Sequence, residues 1–278
     1  MRKNRPWLSV LLWTLLSFAT LFPVYWLFVI SVKPAVELFS TPSIWLDGFY
    51  WKNYVDVLNN ATLRGYMMNS LIISSGNAVL CTGLGFLACY ALTRFNLPGK
   101  ESIFFWTITN RMAPPAVFLL PLFLLMTGVY AIGDFRLADT RIGMILVYCT
   151  FNLPFAIWTL RPTLDAIPKE LDEAAYVDGA SPWRVITEIV FPLARPGLAV
   201  TLILTWVFAW NEYLLAATLT NFNARTLTTG LSEYVTTTGT NWGIMAAISV
   251  FTLIPALIVF ALVQRHIVAG LTFGAVKG

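Results

Sequence analysis

Residues 168–196 read PKELDEAAYVDGASPWRVITEIVFPLARP. This charged stretch lies between two long apolar segments, in a chain of 278 residues of which 58% are hydrophobic and only 12% charged. A soluble domain carries roughly 25% charged residues, and the mean hydropathy here is +0.71. The flanking segments therefore read as bilayer spans, and the charged stretch as a hairpin outside the membrane that is built to dock a soluble partner.

The hairpin's own residues define its shape. Pro168 suits the first position of a helix, and Glu170, Asp172 and Glu173 fall in the first turns, where the helix dipole favours carboxylates. Gly179 permits a sharp reversal. Ser181-Pro182 opens a second helix with serine as the cap, and Trp183, Val185, Ile186, Ile189 and Val190 give that helix an apolar face. Pro192 and Pro196 are expected to limit its extent, leaving a helix–turn–helix outside the membrane.

Working outward, about 20 apolar residues are needed to cross the hydrocarbon as a helix. Six segments meet or approach that length, at roughly 8–32, 66–92, 103–131, 142–160, 197–220 and 244–263. They are too long and too uniformly apolar for the alternating strands of an outer-membrane barrel, so the fold class is an all-α integral membrane protein with six transmembrane helices. Basic residues set the orientation. With a cytoplasmic N-terminus the inside set is Arg2, Lys3, Arg5, Arg94, Lys100, Arg161, Lys169, Arg184, Arg195, Arg265 and Lys277, against Lys33, Lys52, Arg64, Arg136, Arg141 and Arg225 outside, with Arg111 within a span. Both termini are expected in the cytoplasm. The scattered net charge of +4 is explained by this topology rather than by a nucleic-acid partner.

The basic start at Arg2, Lys3 and Arg5 is followed by an uncharged run to Val32, longer than a signal-peptide core, so it is kept as a span. The loop at 33–65 is rich in Pro34, Pro42, Trp45, Tyr50, Trp51 and Tyr54 and suits a segment lying along the membrane surface. Residues 93–101 form a short turn around Pro98-Gly99. The third segment is interrupted by Arg111, Pro114, Pro115 and Pro121, and the fourth by Asn152-Leu153-Pro154. Such breaks are tolerated where backbone faces protein or a water-filled path. Arg111 reads equally as a path residue or as an internal pairing that fixes the bundle. The fifth segment, AVTLILTWVFAWNEYLLAATL, places Asn211 and Glu212 well inside an apolar helix, where an acid normally faces a polar interior. Trp206, Trp210 and Tyr213 offer aromatic faces, for packing or for stacking on a sugar ring.

Cys81, Cys89 and Cys149 fall inside apolar segments with no CxxC pair and are read as small packing residues; His266 stands without a partner. No GxxxxGK[ST] phosphate loop, HExxH or Gly-x-Ser-x-Gly occurs, and no paired aspartates fall on facing spans, so neither ATP hydrolysis nor intramembrane proteolysis is expected of this chain.

Glu173-Ala174-Ala175, three residues, Gly179, nine residues, Ile189, one residue, then Phe191-Pro192 resembles the EAA loop of permease subunits of bacterial ABC importers, with Phe191 where leucine is usual. The WNEY at 210–213 and the ending GLTFGAVKG at 270–278 resemble the carbohydrate-uptake, maltose-type branch of that family, and the likeness runs over nearly the whole chain. The resemblance implies the transmembrane domain of a type I ABC importer. The chain would be one permease domain, 1–278, with a core at about 66–263, a cytoplasmic coupling loop at 161–196 and a cytoplasmic tail at 264–278. Glu173, Ala174, Ala175, Asp178, Gly179, Ile189 and Pro192 would make the coupling contact with a separate ATPase, and Gly270, Leu271, Gly274 and Lys277 would reach the same interface. Arg111, Trp210, Asn211, Glu212 and Tyr213 are the candidates for the substrate path.

The implied partners are a second, similar permease subunit, two ATPase subunits that bind ATP and magnesium, and an extracytoplasmic substrate-binding protein. The implied site is the bacterial inner membrane, and the implied cargo is a sugar, oligosaccharide or polyol. The chain itself would hold no cofactor or metal. The rival reading is an ion-coupled secondary transporter that uses Arg111 and Glu212 as a relay.

Overall fold

The computed structural model describes residues 6–40, 44–46, 48–128, 136–236 and 239–275. Among these, five helices are long and apolar enough to cross a membrane: Trp7–Ser31, Ala61–Arg94, Arg141–Asp165, Pro182–Trp210 and Trp242–Leu262. The pair Lys100–Met112 and Pro115–Met126, bent by 95° at its break, makes a sixth if it is counted as one broken span. The protein is an all-α membrane protein, and one two-stranded ribbon at Val235–Thr236 and Gly239–Thr240 is its only described sheet.

One sequence expectation is borne out and two are revised. The third segment is not one helix. Ala113 is extended (φ −68°, ψ 133°) because the Pro114 ring disfavours a helical residue before it, and Pro115 then starts a new helix at its first turn. The expected break at Asn152-Leu153-Pro154 does not occur, and the Arg141–Asp165 helix runs through both Pro154 and Pro162. Neighbouring segments hold this region: the Asn152 amide donates to Asn77 Oδ1 at 2.7 Å and to the Thr205 carbonyl at 3.4 Å. The second revision concerns the hairpin. Its second helix does not stop at Pro192 or Pro196 but continues from Pro182 to Trp210. Residues Val185–Val190 form a π turn just ahead of Pro192, and the wider turn accommodates a ring that an ordinary α turn would exclude.

The chain folds as two compact units. The first comprises residues 1–65 and 230–255. Its first helix, Pro6–Ser31, presents apolar side chains outward on all sides, including Trp7, Trp13 and Phe18, as a helix in contact with lipid does. The loop after it is not a featureless connector: it forms the helices Ala35–Ser40 and Lys52–Asn59 and leaves Trp45 and Trp51 exposed. Asn53, buried, donates to the carbonyls of Ser31 and Lys33 at 2.9 and 3.1 Å and pins the second helix to the end of the first span. Pro42 lies outside the described residues.

The second unit comprises residues 66–229 and 256–278. Its spans pack at small residues, which let backbones approach. Gly85 faces Ala156, whose Cβ lies 2.9 Å from where a Gly85 side chain would begin, and Gly197 sits against the side chain of Thr163. One buried cluster joins Phe86, Tyr90, Phe104, Leu160, Leu164 and Val185 near the charged hairpin. A second joins Ile73, Met144, Tyr148, Phe151, Leu215 and Leu219. The last helix, Trp242–Ala275, stays helical through residues read as a tail, so the backbone at Gly270, Leu271 and Gly274 is helical; Lys277 lies outside the described residues.

Candidate functional site: a coupling loop and a polar cavity

The hairpin begins with the helix Glu170–Val177, whose first turn holds Glu170, Asp172 and Glu173. Pro168 lies just before it rather than inside it. The helix has two faces. Asp172 and Ala175 are buried, while Glu173, Ala174, Val177 and Asp178 are exposed. Gly179 has φ +82°, a left-handed conformation that a side chain resists, and the chain reverses there. Ser181 Oγ then accepts from the Arg184 amide at 3.3 Å, capping the long helix, and Trp183 is left 64% exposed beside the turn.

The motif residues thus divide. Glu173, Ala174, Asp178 and Gly179 form an outward surface with Val177 and Trp183, whereas Ala175 is buried and Ile189 and Pro192 are half-buried. The inward residues hold the loop on the spans. Sequence reasoning missed the strongest of these attachments. Arg94, the last residue of its helix, lies 2.7 Å from Asp172 through Nε, with both side chains buried. Its other two guanidinium nitrogens donate to the carbonyls of Leu164 and Ile167 at 3.3 and 3.1 Å.

A cavity of about 320 Å³ lies between the third, fourth and fifth spans, lined by Arg111, Pro115, Tyr148, Phe151, Asn152, Phe208, Ala209, Glu212 and Leu215. Two helix breaks shape it. One is the bend that follows Met112; the other is the end of the long helix at Trp210, after which Asn211–Tyr213 is not helical and Leu214–Leu219 starts anew. This revises the expectation that Asn211 and Glu212 sit inside a helix. Glu212 instead accepts from the amides of Leu215 and Ala216 at 3.0 and 3.1 Å, capping the short helix that follows.

Arg111 lies with its guanidinium carbon 4.1 Å from the Phe208 ring centre and 5.3 Å from that of Phe155, and Nη1 donates to Asn152 Oδ1 at 3.4 Å. Asn152 passes the contact to Asn77, whose amide donates to the Ile145 carbonyl at 2.9 Å. The buried Tyr148 hydroxyl lies beside Glu212, outside hydrogen-bonding geometry. The fold therefore brings Arg111 and Glu212 to one cavity and adds Tyr148, Asn152 and Phe208.

The remaining path candidates lie elsewhere. Trp210 is buried and stacks on Trp206, with ring centres 4.8 Å apart, in a cluster with Ala78. Asn211 bonds back to the Val207 carbonyl, and Tyr213 is exposed. Cys81 and Cys149 place their sulfurs 3.4 Å apart, while Cys89 packs in the cluster near the hairpin. Among the described residues no group of three or more His, Cys, Asp or Glu is placed to hold a metal.

A guanidinium, a carboxylate, a phenol and a carboxamide spaced by aromatic surface offer hydrogen-bond donors and acceptors beside apolar faces. Cavities formed at broken helices recur in the membrane domains of transporters. In fold, the chain resembles a solved chain of a bacterial ABC transporter involved in the import of the acidic polysaccharide alginate, with a TM-score of 0.75 at 21% identity over 96% of this chain and 98% of that one.

Residues 81–272 match the family described as binding-protein-dependent transport system inner membrane component. The chain is 36% identical over 272 residues to a trehalose transport system permease protein of Mycobacterium tuberculosis, covering 95% of each. It is 30% identical over 271 residues to a diacetylchitobiose uptake system permease protein of Streptomyces coelicolor, covering 96% of this chain and 87% of that one. The chain belongs to this family of inner-membrane transport components.

Proposed function

We propose that this chain is the permease subunit of an ATP-driven importer that brings a sugar, oligosaccharide or polyol into the cytoplasm. The observation that carries the reading is the coupling loop. An outward surface of Glu173, Ala174, Val177, Asp178 and Gly179, on the Glu170–Val177 helix and the turn that ends it, is joined across the reversal at Gly179 to the helix that runs from Pro182 to Trp210 beside the cavity. A push on that surface by a cytosolic ATPase would pass across the turn at Gly179 to the long helix and along it to Phe208 and Ala209 at the cavity, which is what alternating access requires. ATP and magnesium would be bound by the ATPase, and both termini of this chain would face the cytoplasm, in keeping with the basic residues of its loops.

The cavity supports a neutral polyhydroxylated cargo, with Arg111, Tyr148, Asn152 and Glu212 as polar contacts. The relatives named for trehalose and diacetylchitobiose uptake support the same class. A binding protein outside the membrane is in keeping with the family, and a second permease subunit would complete the pathway. Family membership leaves the ion-coupled relay of Arg111 and Glu212 without support.

The deciding experiment assembles the chain with its partner permease and ATPase and measures hydrolysis stimulated by the loaded binding protein. Glu173→Lys should lower stimulated hydrolysis at least tenfold, because it reverses the charge on the outward face without touching the buried one. Unchanged hydrolysis would remove the coupling role.

A further inference from the structure

The coupling loop has a single buried charge contact with the spans among the described residues, and it draws three elements together. Arg94 ends the Ala61–Arg94 helix, Leu164 and Ile167 belong to the end of the Arg141–Asp165 helix and the turn after it, and Asp172 lies in the first turn of Glu170–Val177. The side chains of Arg94 and Asp172 are 6% and 7% exposed. Each charge sits where a helix end favours it: the guanidinium against free carbonyls at a C-terminus, the carboxylate at an N-terminus. The guanidinium's planar fork reaches all three partners at once, which a lysine ammonium on a flexible stem cannot reproduce.

We propose that Arg94 is a positioning residue for coupling, which makes the loop and two spans move as one body. The inference rests on the reading of the outward loop face as the ATPase contact. Glu173 and Ala174 face out next to Asp172, so a force on them reaches the carboxylate within the same helical turn. From Asp172 it passes through one guanidinium to the second span and to the end of the fourth. Without the clasp, the Glu170–Val177 helix keeps the packing of Ala175 and its chain connections, and the loop can yield under load while the spans stay still. The long Pro182–Trp210 helix drives one wall of the cavity. The clasp would recruit the Arg141–Asp165 span, which contributes Tyr148 and Asn152 to the same cavity.

The test measures solute imported per ATP hydrolysed in proteoliposomes that hold the full complex, for Arg94→Gln and for the isosteric Asp172→Asn. The expected result is that the complex still assembles and hydrolyses ATP while the import ratio falls fivefold or more. If a variant assembles poorly, so that import and hydrolysis fall in proportion and the ratio stays at the wild-type value, the residue is only structural and the proposal is overturned. Asp172→Asn, which changes no shape, carries the test where Arg94→Gln does not assemble. A rescue arm uses Arg94→Cys with Asp172→Cys in a chain whose native cysteines are replaced. Joining the pair with a short thiol cross-linker should restore the ratio, and no restoration would count against the clasp. If the wild-type complex shows no ATPase stimulation, the reading of the loop itself fails, separately from the role of Arg94.

Discussion

Asp139 shows how one side chain can organise a loop that no motif announces. Its carboxylate accepts from the backbone amides of Asn221, Phe222, Asn223 and Ala224 at 2.9 to 3.1 Å, and from the Asn223 side chain at 3.1 Å. The residue itself adopts φ +55°, which aspartate tolerates better than most. Burial pushes its carboxyl up, but four amides aimed at the charged form outweigh burial and hold it below the ordinary value of 3.8. A depressed carboxylate stabilises the fold fully above 3.8 and loses that contribution as pH falls through its lower folded value. Asp139→Asn should therefore lower the thermal midpoint by several degrees at pH 7, and the gap from wild type should close below pH 3.8; a midpoint series across pH checks it. Neither this latch nor the Arg94–Asp172 pair was legible in the sequence, because the partners are some eighty residues apart in each case and no local pattern marks them. Glu173, Gly179 and Ser181 were legible, because an N-terminal acid, a left-handed glycine and a serine cap are set by immediate neighbours.

At the scale of elements, the long Pro182–Trp210 helix matters most, since it joins the docking surface to the cavity wall. Its crossing with the Arg141–Asp165 helix depends on Gly197, where a methyl would begin 2.1 Å from Thr163 Oγ1. Thr163 Cβ itself lies 2.7 Å from that point, so a change of rotamer does not relieve the contact. Gly197→Leu should cost about 1–3 kcal/mol through overpacking, read as a lower unfolding midpoint in detergent. The prolines of this helix argued for interruption, but the π turn at Val185–Val190 widens the turn ahead of Pro192, and the helix runs through Pro196. The reverse occurred in the third span, where two adjacent prolines broke the helix outright. The sequence signals the sites of strain in both; packing decides whether a helix bends, widens or stops.

For the whole molecule, the proposed importer draws its energy from ATP. An uncoupler that collapses the proton gradient while ATP is maintained should leave uptake by the assembled complex within about twofold, whereas removing ATP should abolish it. Uptake that follows the gradient would restore the ion-coupled alternative. Apolar length and charge distribution determined the membrane class, the approximate spans and the charged hairpin by themselves, because lipid demands continuous helices and the dipole and turn rules act between near neighbours. Tertiary structure alone decided that Arg111 and Glu212 share a cavity, that Trp210 packs on Trp206 instead, and that Arg94 grips Asp172. Those pairings depend on where distant helices cross, and crossings are fixed by the fit of small residues such as Gly85, Ala156 and Gly197 rather than by any pattern along the chain.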